Sequence, residues 1–577
     1  MEPAGRFALG RLHLGVLQPD PQLATPGPVR VLFHGEIDNP AELHRRLVER
    51  GVRPPPLGGT ASLVAALYEA EGEAFAAGMK GSFCAAVLDE GAGRLVLASD
   101  LTGSYPLYWS EGPDRVAFAG ELKALMGDPG ARLGLDPQAI GDYLSCGFVL
   151  GDKTLASGVR LLPPASTLTY AFGDGGRVAI SRYRDLRSLF ETSRLPWEEL
   201  AARVRDAFGR AVERALAGDH RLAIALSGGL DTRAILSAAP REARLFSYTL
   251  GVRGCADHVI GEELARLAGL KHRFIELDGD YLGDYIPNLR NLVSLTDGLY
   301  LSHGFTEMLA LRFLEEVDSS VLVRGHGGEL AKADLAWPFH TDAAVRSVRS
   351  REDLISLLLR RFDFMPAGVS LRVLLTDAWF DRVEGAARRS LAESLDRAPE
   401  SPGDACAYLY LVEHHRRSTV ASLELFRNCV EIRMPFLDHD FLAEVFRLPV
   451  AFREGCRIHR AIIEARHPAL GRVRNSNTGA AATAAPWVEA VLSRVNEALK
   501  RLNVYGYRHY HSFKRWMRGA LLEVTTEALL SPEALSRGVF RPETVRRLAA
   551  EARRDRADHG HLFQILLILE LWQRENL

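Results

Sequence analysis

Leu222-Ala223-Ile224-Ala225-Leu226-Ser227-Gly228-Gly229-Leu230-Asp231-Thr232-Arg233-Ala234-Ile235-Leu236 is the stretch that organises this chain. Five apolar residues in a row suit a buried parallel strand, a polar glycine turn follows at once, and Thr232 to Ala239 has the composition of a helix start. A strand, loop and helix in that order should leave the backbone N–H groups of Gly228 and Gly229 free at the positive end of a helix, where phosphate or pyrophosphate is favoured. Glycine is needed there because a side chain would block close approach. Ser227 and Thr232 add hydroxyl donors, and Asp231 is a carboxylate placed where a phosphate-bound Mg²⁺ would sit. The Gly-Lys-Ser/Thr ending of an ordinary P-loop is missing.

Working outward, Leu200, Val204, Phe208, Val212 and Leu216 recur four apart and predict an amphipathic helix over Trp197–Leu216 that feeds the central strand. Beyond the loop, Leu245–Gly251 reads as a strand, Gly261–Leu267 as a helix and His272–Glu276 as another strand. Such alternation predicts a doubly wound parallel sheet, with ligands at the carboxyl ends of its strands. A second apolar run, Ser320–Val323, again enters glycines at Gly325, Gly327 and Gly328, followed by Glu329. His326 within that turn has two readings, a donor to a phosphate or a side chain that faces solvent, and the second is favoured. A long helical region is expected over Ala405–Arg427, and its adjacent His414 and His415 make a poor metal pair because neighbours on a helix diverge.

The 577 residues allow two domains with large cores. Lysine plus arginine number 71 against 73 acids, so no general field draws nucleic acid or a membrane surface. Six cysteines are scattered without metal spacing, which suits reduced thiols in a cytoplasmic protein. No leader pattern and no membrane-length apolar run stands out.

Residues 1 to about 180 read as strand-rich, with short runs at Arg11–Leu14, Val29–Phe33, Phe83–Leu88 and Arg94–Ala98, and helices at Pro40–Gly51 and Thr60–Glu71. Arg182–Pro196 reads as a linker. Within this part, His34-Gly35-Glu36-Ile37-Asp38-Asn39, Gly81-Ser82-Phe83 through Asp100, Gly103, Pro106-Leu107-Tyr108 and Phe118-Ala119-Gly120-Glu121-Leu122 resemble, in order and spacing, the glutaminase domain of the asparagine synthetase family. Ser-Gly-Gly-Leu-Asp-Thr resembles the pyrophosphate motif of ATP-pyrophosphatases, and Cys429–Asp438, His459-Arg460 and Leu569–Trp572 extend the likeness over nearly the whole chain.

The resemblance implies an N-terminal Ntn-hydrolase-like layered sheet domain over 1–185, and over 195–577 a doubly wound parallel-sheet ATP-pyrophosphatase domain with a helical C-terminal region. It implies ATP at Leu226, Ser227, Gly228, Gly229, Asp231, Thr232, Leu250, Gly251, Gly325, Gly327 and Gly328, with Mg²⁺ shared by Asp231 and Glu329. The family glutaminase uses an N-terminal cysteine, whereas Glu2 follows Met1 here and the first cysteine is Cys84, inside a strand run. His34 stands in place of an oxyanion-hole asparagine, so a glutaminase relic with a structural role is expected. The family lysine that stabilises developing charge has no counterpart in Arg472–Gly479, which leaves Arg472, Arg474 or Lys332 as substitutes, and a family glutamate has none near Asn291–Asp297.

Together these readings predict a synthetase that adenylates a small-molecule or peptide carboxylate, releases pyrophosphate and passes the acyl group to an amine not supplied by its own glutaminase. β-Lactam synthetases and lasso-peptide cyclases are similar in lacking a working glutaminase. The rival reading, favoured by the missing lysine and glutamate, is a catalytically silent ATP-binding or scaffold partner of an active synthetase.

Overall fold

The computed structural model describes residues 2–4, 7–18, 27–56, 59–128, 134–172, 176–277, 285–300, 303–332, 337–511, 516–517, 519–554 and 559–577. A hairpin of β1 (Glu2–Ala4) and β2 (Phe7–Leu9) opens the chain. Arg11–Leu14, expected as a strand, is not one: Leu12 is 92% exposed, and Arg11 turns its guanidinium onto Gln18, donating to the side-chain oxygen at 3.2 Å. A short apolar alternation with no partner strand cannot bury its face or pair its backbone.

The N-terminal part is built on β3 (Val29–Ile37), helices α1 (Pro40–Glu49) and α2 (Thr60–Glu71), then β4 (Gly81–Asp89) and β5 (Arg94–Ser99). A second hairpin, β6 (Tyr108–Gly112) and β7 (Arg115–Ala119), precedes α3 (Leu122–Met126), α4 (Pro137–Cys146), β8 (Val159–Leu161), β9 (Ser166–Ala171) and β10 (Val178–Arg182). The antiparallel sheet runs β10-β9-β5-β4-β3, and β6 is flanked by β7 and β8 in a smaller sheet. Strand alternation explains the layering: Phe83, Ala85 and Val87 of β4 pack with Leu43, Leu63 and Leu67 of the helices, while Cys84, Ala86 and Leu88 pack with Leu107 and Trp109. Cys84 is therefore a buried strand residue, and burial pushes its thiol up to about 12.

The chain then crosses Arg182–Pro196, where a short 3₁₀ turn buries Leu186 and Leu189, and enters α5 (Trp197–Ala215). Leu200, Val204, Phe208 and Val212 are buried as their spacing predicts, and Phe208 packs against Phe436 and Phe441. Next come β11 (Leu222–Ala225), α6 (Asp231–Ala238), β12 (Leu245–Gly251), α7 (Ala256–Ala268), β13 (Lys271–Glu276), β14 (Val321–Val323) and β15 (Glu431–Arg433). All five strands are parallel in the order β13-β12-β11-β14-β15. The order reverses at β11, so the crevice beyond its carboxyl end, between β12 and β14, is the place for a ligand.

The expected long helix spans Pro402–Arg427, but its ten central residues, Tyr410–Thr419, are wound as a π-helix. That winding fastens the two parts together. Arg417 donates to the Gly151 carbonyl at 2.8 Å, Arg416 to the Leu162 carbonyl at 2.8 Å, Glu413 accepts from the Gly151 N–H at 2.7 Å, and His415 meets the Ser104 hydroxyl at 3.1 Å. His414 instead packs against Trp337 and Tyr410, so the two histidines diverge as expected.

A second contact between the parts is a cavity of about 70 Å³ lined by Asp38, Arg214, Arg433 and Asp438. Arg433 grips Glu36 with two bonds, at 2.7 and 2.8 Å, and Arg214 bonds Asp438. Burial, with Asp438 and Glu36 nearby, pushes the Asp38 carboxyl up to about 7, despite the two arginines. An acid raised in the folded state binds a proton that the unfolded chain has released, so stability falls as pH rises from about 4 to 7 and the loss persists above that. Asp38→Asn should therefore melt higher than wild type at pH 8, by the equivalent of about 1 kcal/mol or more, with the gain shrinking toward pH 4. Equal melting temperatures across that range would refute it.

Candidate active site

A cavity of about 330 Å³ occupies the crevice at the end of β11. Ser227, Asp231 and Thr232 line it from the glycine loop and α6, Leu250 from the end of β12, Asp257 from α7, and Arg324, Gly325, His326 and Glu329 from the loop after β14. Residues of both glycine turns thus share one space, although Gly228, Gly229, Gly327 and Gly328 themselves do not line it. Thr232 carries a buried hydroxyl with no hydrogen-bond partner among the described residues, at the first turn of α6. A buried donor left unpaired costs free energy, and an anionic oxygen in the cavity would satisfy it.

The two loop glycines differ from expectation. The Gly228 N–H is not free: it donates to Asp257 Oδ1 at 2.7 Å, and the Gly229 N–H reaches Ser227 Oγ at 3.3 Å. The reason is packing, since α7 begins beside the loop and its acidic first turn offers a strong acceptor. Glycine is still required at 228, where a Cβ would run into Ser476, and at 325, where it would come within 2.8 Å of Asp231 Cβ. Gly327 has φ +91° at the head of the turn that carries Glu329, and a Cβ at Gly328 would collide with the Asp231 carboxylate. Gly251 lies outside the cavity lining, packed against Cys255.

Asp231 is the electrostatic centre. Its Oδ2 accepts from the Lys332 ammonium at 2.7 Å and its Oδ1 from His459 at 2.8 Å. Burial alone would raise its pKa, but the Lys332 charge and the His459 bond override that and hold the carboxyl well below its ordinary range. Glu329 is held by the Gly327 N–H at 2.9 Å and by the Tyr410 hydroxyl at 3.2 Å. Two carboxylates lining one cavity beside an unpaired hydroxyl fit a Mg²⁺-bound polyphosphate by donor chemistry.

Of the proposed cations, Lys332 reaches the site and Arg474 does not line it. Arg474 bonds the Gly506 carbonyl and lies 4.3 Å from the Tyr507 ring centroid. His326 is not turned to solvent as expected: it lines the cavity, bonds Ser422 Oγ at 3.3 Å, and burial holds its pKa well below the ordinary value. Glu307, beyond the stretch searched for a glutamate, lines the cavity and pairs with Arg324 at 3.0 Å. Tyr510 also lines it from a distant part of the chain, for which no local pattern gives a signal.

Arg233 was hidden in plain view within the motif. Its buried guanidinium donates to the carbonyls of Val473 at 2.6 Å, Arg474 at 3.0 Å and Gly228 at 3.2 Å. It thereby ties the glycine loop to the segment whose Ser476 N–H also reaches the Gly228 carbonyl, at 2.9 Å. Lysine has no planar fork to span three carbonyls. Arg233→Lys should remain folded yet weaken nucleotide binding about tenfold or more, readable by calorimetric titration with a non-hydrolysable ATP analogue. Unchanged affinity would show that the loop needs no such tie.

Comparison with known proteins bears on this geometry. Residues 203–468, which include both glycine turns and Asp231, Lys332 and His459, match the family described as asparagine synthase, and residues 5–183 match the glutamine amidotransferase domain. The chain belongs to the asparagine synthetase family. An asparagine synthetase [glutamine-hydrolyzing] 1 of Bacillus subtilis (strain 168) is 28% identical over 245 residues, 42% of this chain and 38% of that one. Asparagine synthetase [glutamine-hydrolyzing] 3 of Arabidopsis thaliana is 28% identical over 314 residues, 52% of this chain and 48% of that one. The matched part thus spans half or less of these family members. Among solved structures, the glutamine phosphoribosylpyrophosphate amidotransferase of B. subtilis aligns at 12% identity over 44% of this chain and 72% of that one, with a TM-score of 0.21. In family terms an amidotransferase domain built on an antiparallel sheet is followed by a parallel-sheet synthase domain with a helical C-terminus.

Proposed function

We propose that this protein is an ATP-dependent carbon–nitrogen ligase, in which residues 195–577 adenylate a carboxylate, release pyrophosphate and pass the acyl group to an amine. The observation that carries the reading is the convergence of Asp231, Glu329, Lys332 and the unpaired Thr232 hydroxyl on the crevice at the sheet's reversal point. Asp231 and Glu329 would hold Mg²⁺, which when bound supplies charge neutralisation for the polyphosphate. Thr232 donates to a phosphate oxygen, and Lys332, released from Asp231, offsets the charge that grows on departing pyrophosphate. Fixed placement of the phosphates in line with the incoming carboxylate accounts for the rest.

Residues 1–185 act in this reading as a degenerate glutaminase and a structural cover. Cys84 is a buried strand thiol raised to about 12, far from a nucleophile's range. The amine then comes from the substrate itself, from ammonia or from a separate molecule in a specialised biosynthetic pathway.

The test is a pair of measurements on the full chain. Pyrophosphate should be released from Mg·ATP in the presence of an accepted carboxylate, and no glutamate should be released from glutamine under the same conditions. Glutamate formation would overturn the degenerate-glutaminase reading. Absence of both pyrophosphate release and nucleotide-dependent thermal stabilisation, across a carboxylate panel, would favour a silent scaffold.

A further inference from the structure

The helix Pro486–Arg501 is turned inside out relative to an ordinary surface helix. Trp487, Val491 and Val495, each four residues apart, are 73%, 55% and 46% exposed, and Leu502 at the helix end continues the stripe at 74%. Asn496, on the opposite side, is buried and donates to the carbonyls of Ser476 and Asn477, both at 3.1 Å, and Glu489 pairs with Arg460. Polar groups therefore fasten this helix to the active-site segment, and its apolar side faces out. Val504 and Tyr505 extend the exposed patch, whereas elsewhere among the described residues exposed large apolar side chains are scattered. Clustering of this kind marks an interaction surface.

Charge narrows the occupant. Arg494 lies within the stripe and makes no ion pair among the described residues, and Arg501 at its edge is held only by its helix neighbour Glu497. Arg508, further along, bonds the carbonyls of Asn503 and Arg253 and no carboxylate. The chain as a whole is at −2, so this cationic rim is local. Two copies packed face to face would set these arginines against one another, which disfavours self-pairing. The patch also adjoins the cavity, because the Gly506 N–H donates to the Gly254 carbonyl at 2.7 Å and the same segment supplies Tyr510 to the lining.

We propose that this face docks an acidic amphipathic helix of a partner polypeptide. The partner's apolar side would cover Trp487, Val491, Val495 and Leu502, and its carboxylates would meet Arg494 and Arg501. Docking there would hold the partner beside the mouth of the cavity.

Binding to the full-length protein can be read by fluorescence anisotropy with two labelled designed peptides of about five helical turns, sharing one leucine stripe and flanked by glutamates or by lysines. The glutamate peptide should bind saturably, weaken with added salt, and lose about tenfold or more in affinity to Val491→Glu, a change at a half-exposed helix position with the melting temperature measured alongside to show the fold intact. Arg494→Ala should weaken the glutamate peptide and leave the lysine peptide unaffected. Equal or tighter binding of the lysine peptide, or no binding of either, would overturn the proposal. So would sedimentation showing a dimer that Val491→Glu dissolves, since the occupant would then be a second copy. The readout is binding alone, so it stands or falls separately from the ligase reaction.

Discussion

Asp231→Asn should abolish nucleotide chemistry: pyrophosphate release falls about 10³-fold or more, and the thermal stabilisation given by Mg²⁺ with a non-cleavable ATP analogue disappears. The amide keeps the size, its single oxygen can accept from Lys332 and its NH2 can donate to a neutral His459 ring, so the variant folds, but it carries no charge for a divalent cation. It also removes the Asp231 charge from beside the Lys332 ammonium, whose side chain is only 7% exposed. Removing one partner of a buried pair typically costs about 3–5 kcal/mol, and Asp231, at 25% exposed, should sit at or below the lower end of that range. The pH dependence has a definite sign. The Asp231 carboxyl is depressed in the folded state, so its contribution is fully present above the unfolded carboxyl range, near pH 4, and is lost as pH falls through the folded value. Wild type should thus melt well above Asp231→Asn at neutral pH, and the two should converge in acid. A gap that widened on acidification, or an unchanged nucleotide shift, would sink this assignment.

Lys332→Met is the second large effect. The ammonium is a buried charge bonded to Asp231 at the cavity, delivered by the short 3₁₀ turn Gly328–Ala331 that also carries Glu329. In the empty protein it neutralises Asp231. In the proposed reaction Asp231 and Glu329 would hold a divalent cation that supplies charge neutralisation, and Lys332 would then face the leaving pyrophosphate. Loss of a single charge-stabilising group in a water-poor site typically costs 10²–10³ in rate, so pyrophosphate release should fall by about that factor, mainly in kcat. Lys332→Arg should restore little of it, because a planar fork does not fit a space shaped for a compact ammonium. A rate close to wild type for Lys332→Met would confine this lysine to holding Asp231 in the empty protein. Arg474 provides the contrast: its side chain is committed to Gly506 and Tyr507, so Arg474→Met should leave the rate within a few-fold of wild type.

Local pattern carried the sequence reading a long way where one element's own residues specify it. Helix Thr60–Glu71 and strand Leu245–Gly251 fall where their apolar spacing places them, and the strand, loop and helix around Ser227 need nothing beyond their neighbours in the chain. Arg11–Leu14 failed because a strand is specified by its partner as much as by itself. Helix Pro486–Arg501 shows the same limit from the other side, since its spacing reveals an apolar stripe but not which way the stripe faces.

What the sequence determined by itself was the family architecture, the two glycine turns and the acids Asp231 and Glu329 within them, because each motif is compact enough for backbone geometry to dictate its shape. Tertiary structure alone decided which groups meet there. Asp257 closes the Gly228 N–H, Lys332 and His459 converge on Asp231 from two separate later segments of the chain, and Arg474 bonds Gly506 instead of lining the cavity. Asp257 is 29 residues from Gly228, while Lys332 and His459 are 101 and 228 residues from Asp231, and Coulomb energy depends on distance through space, which no local periodicity encodes.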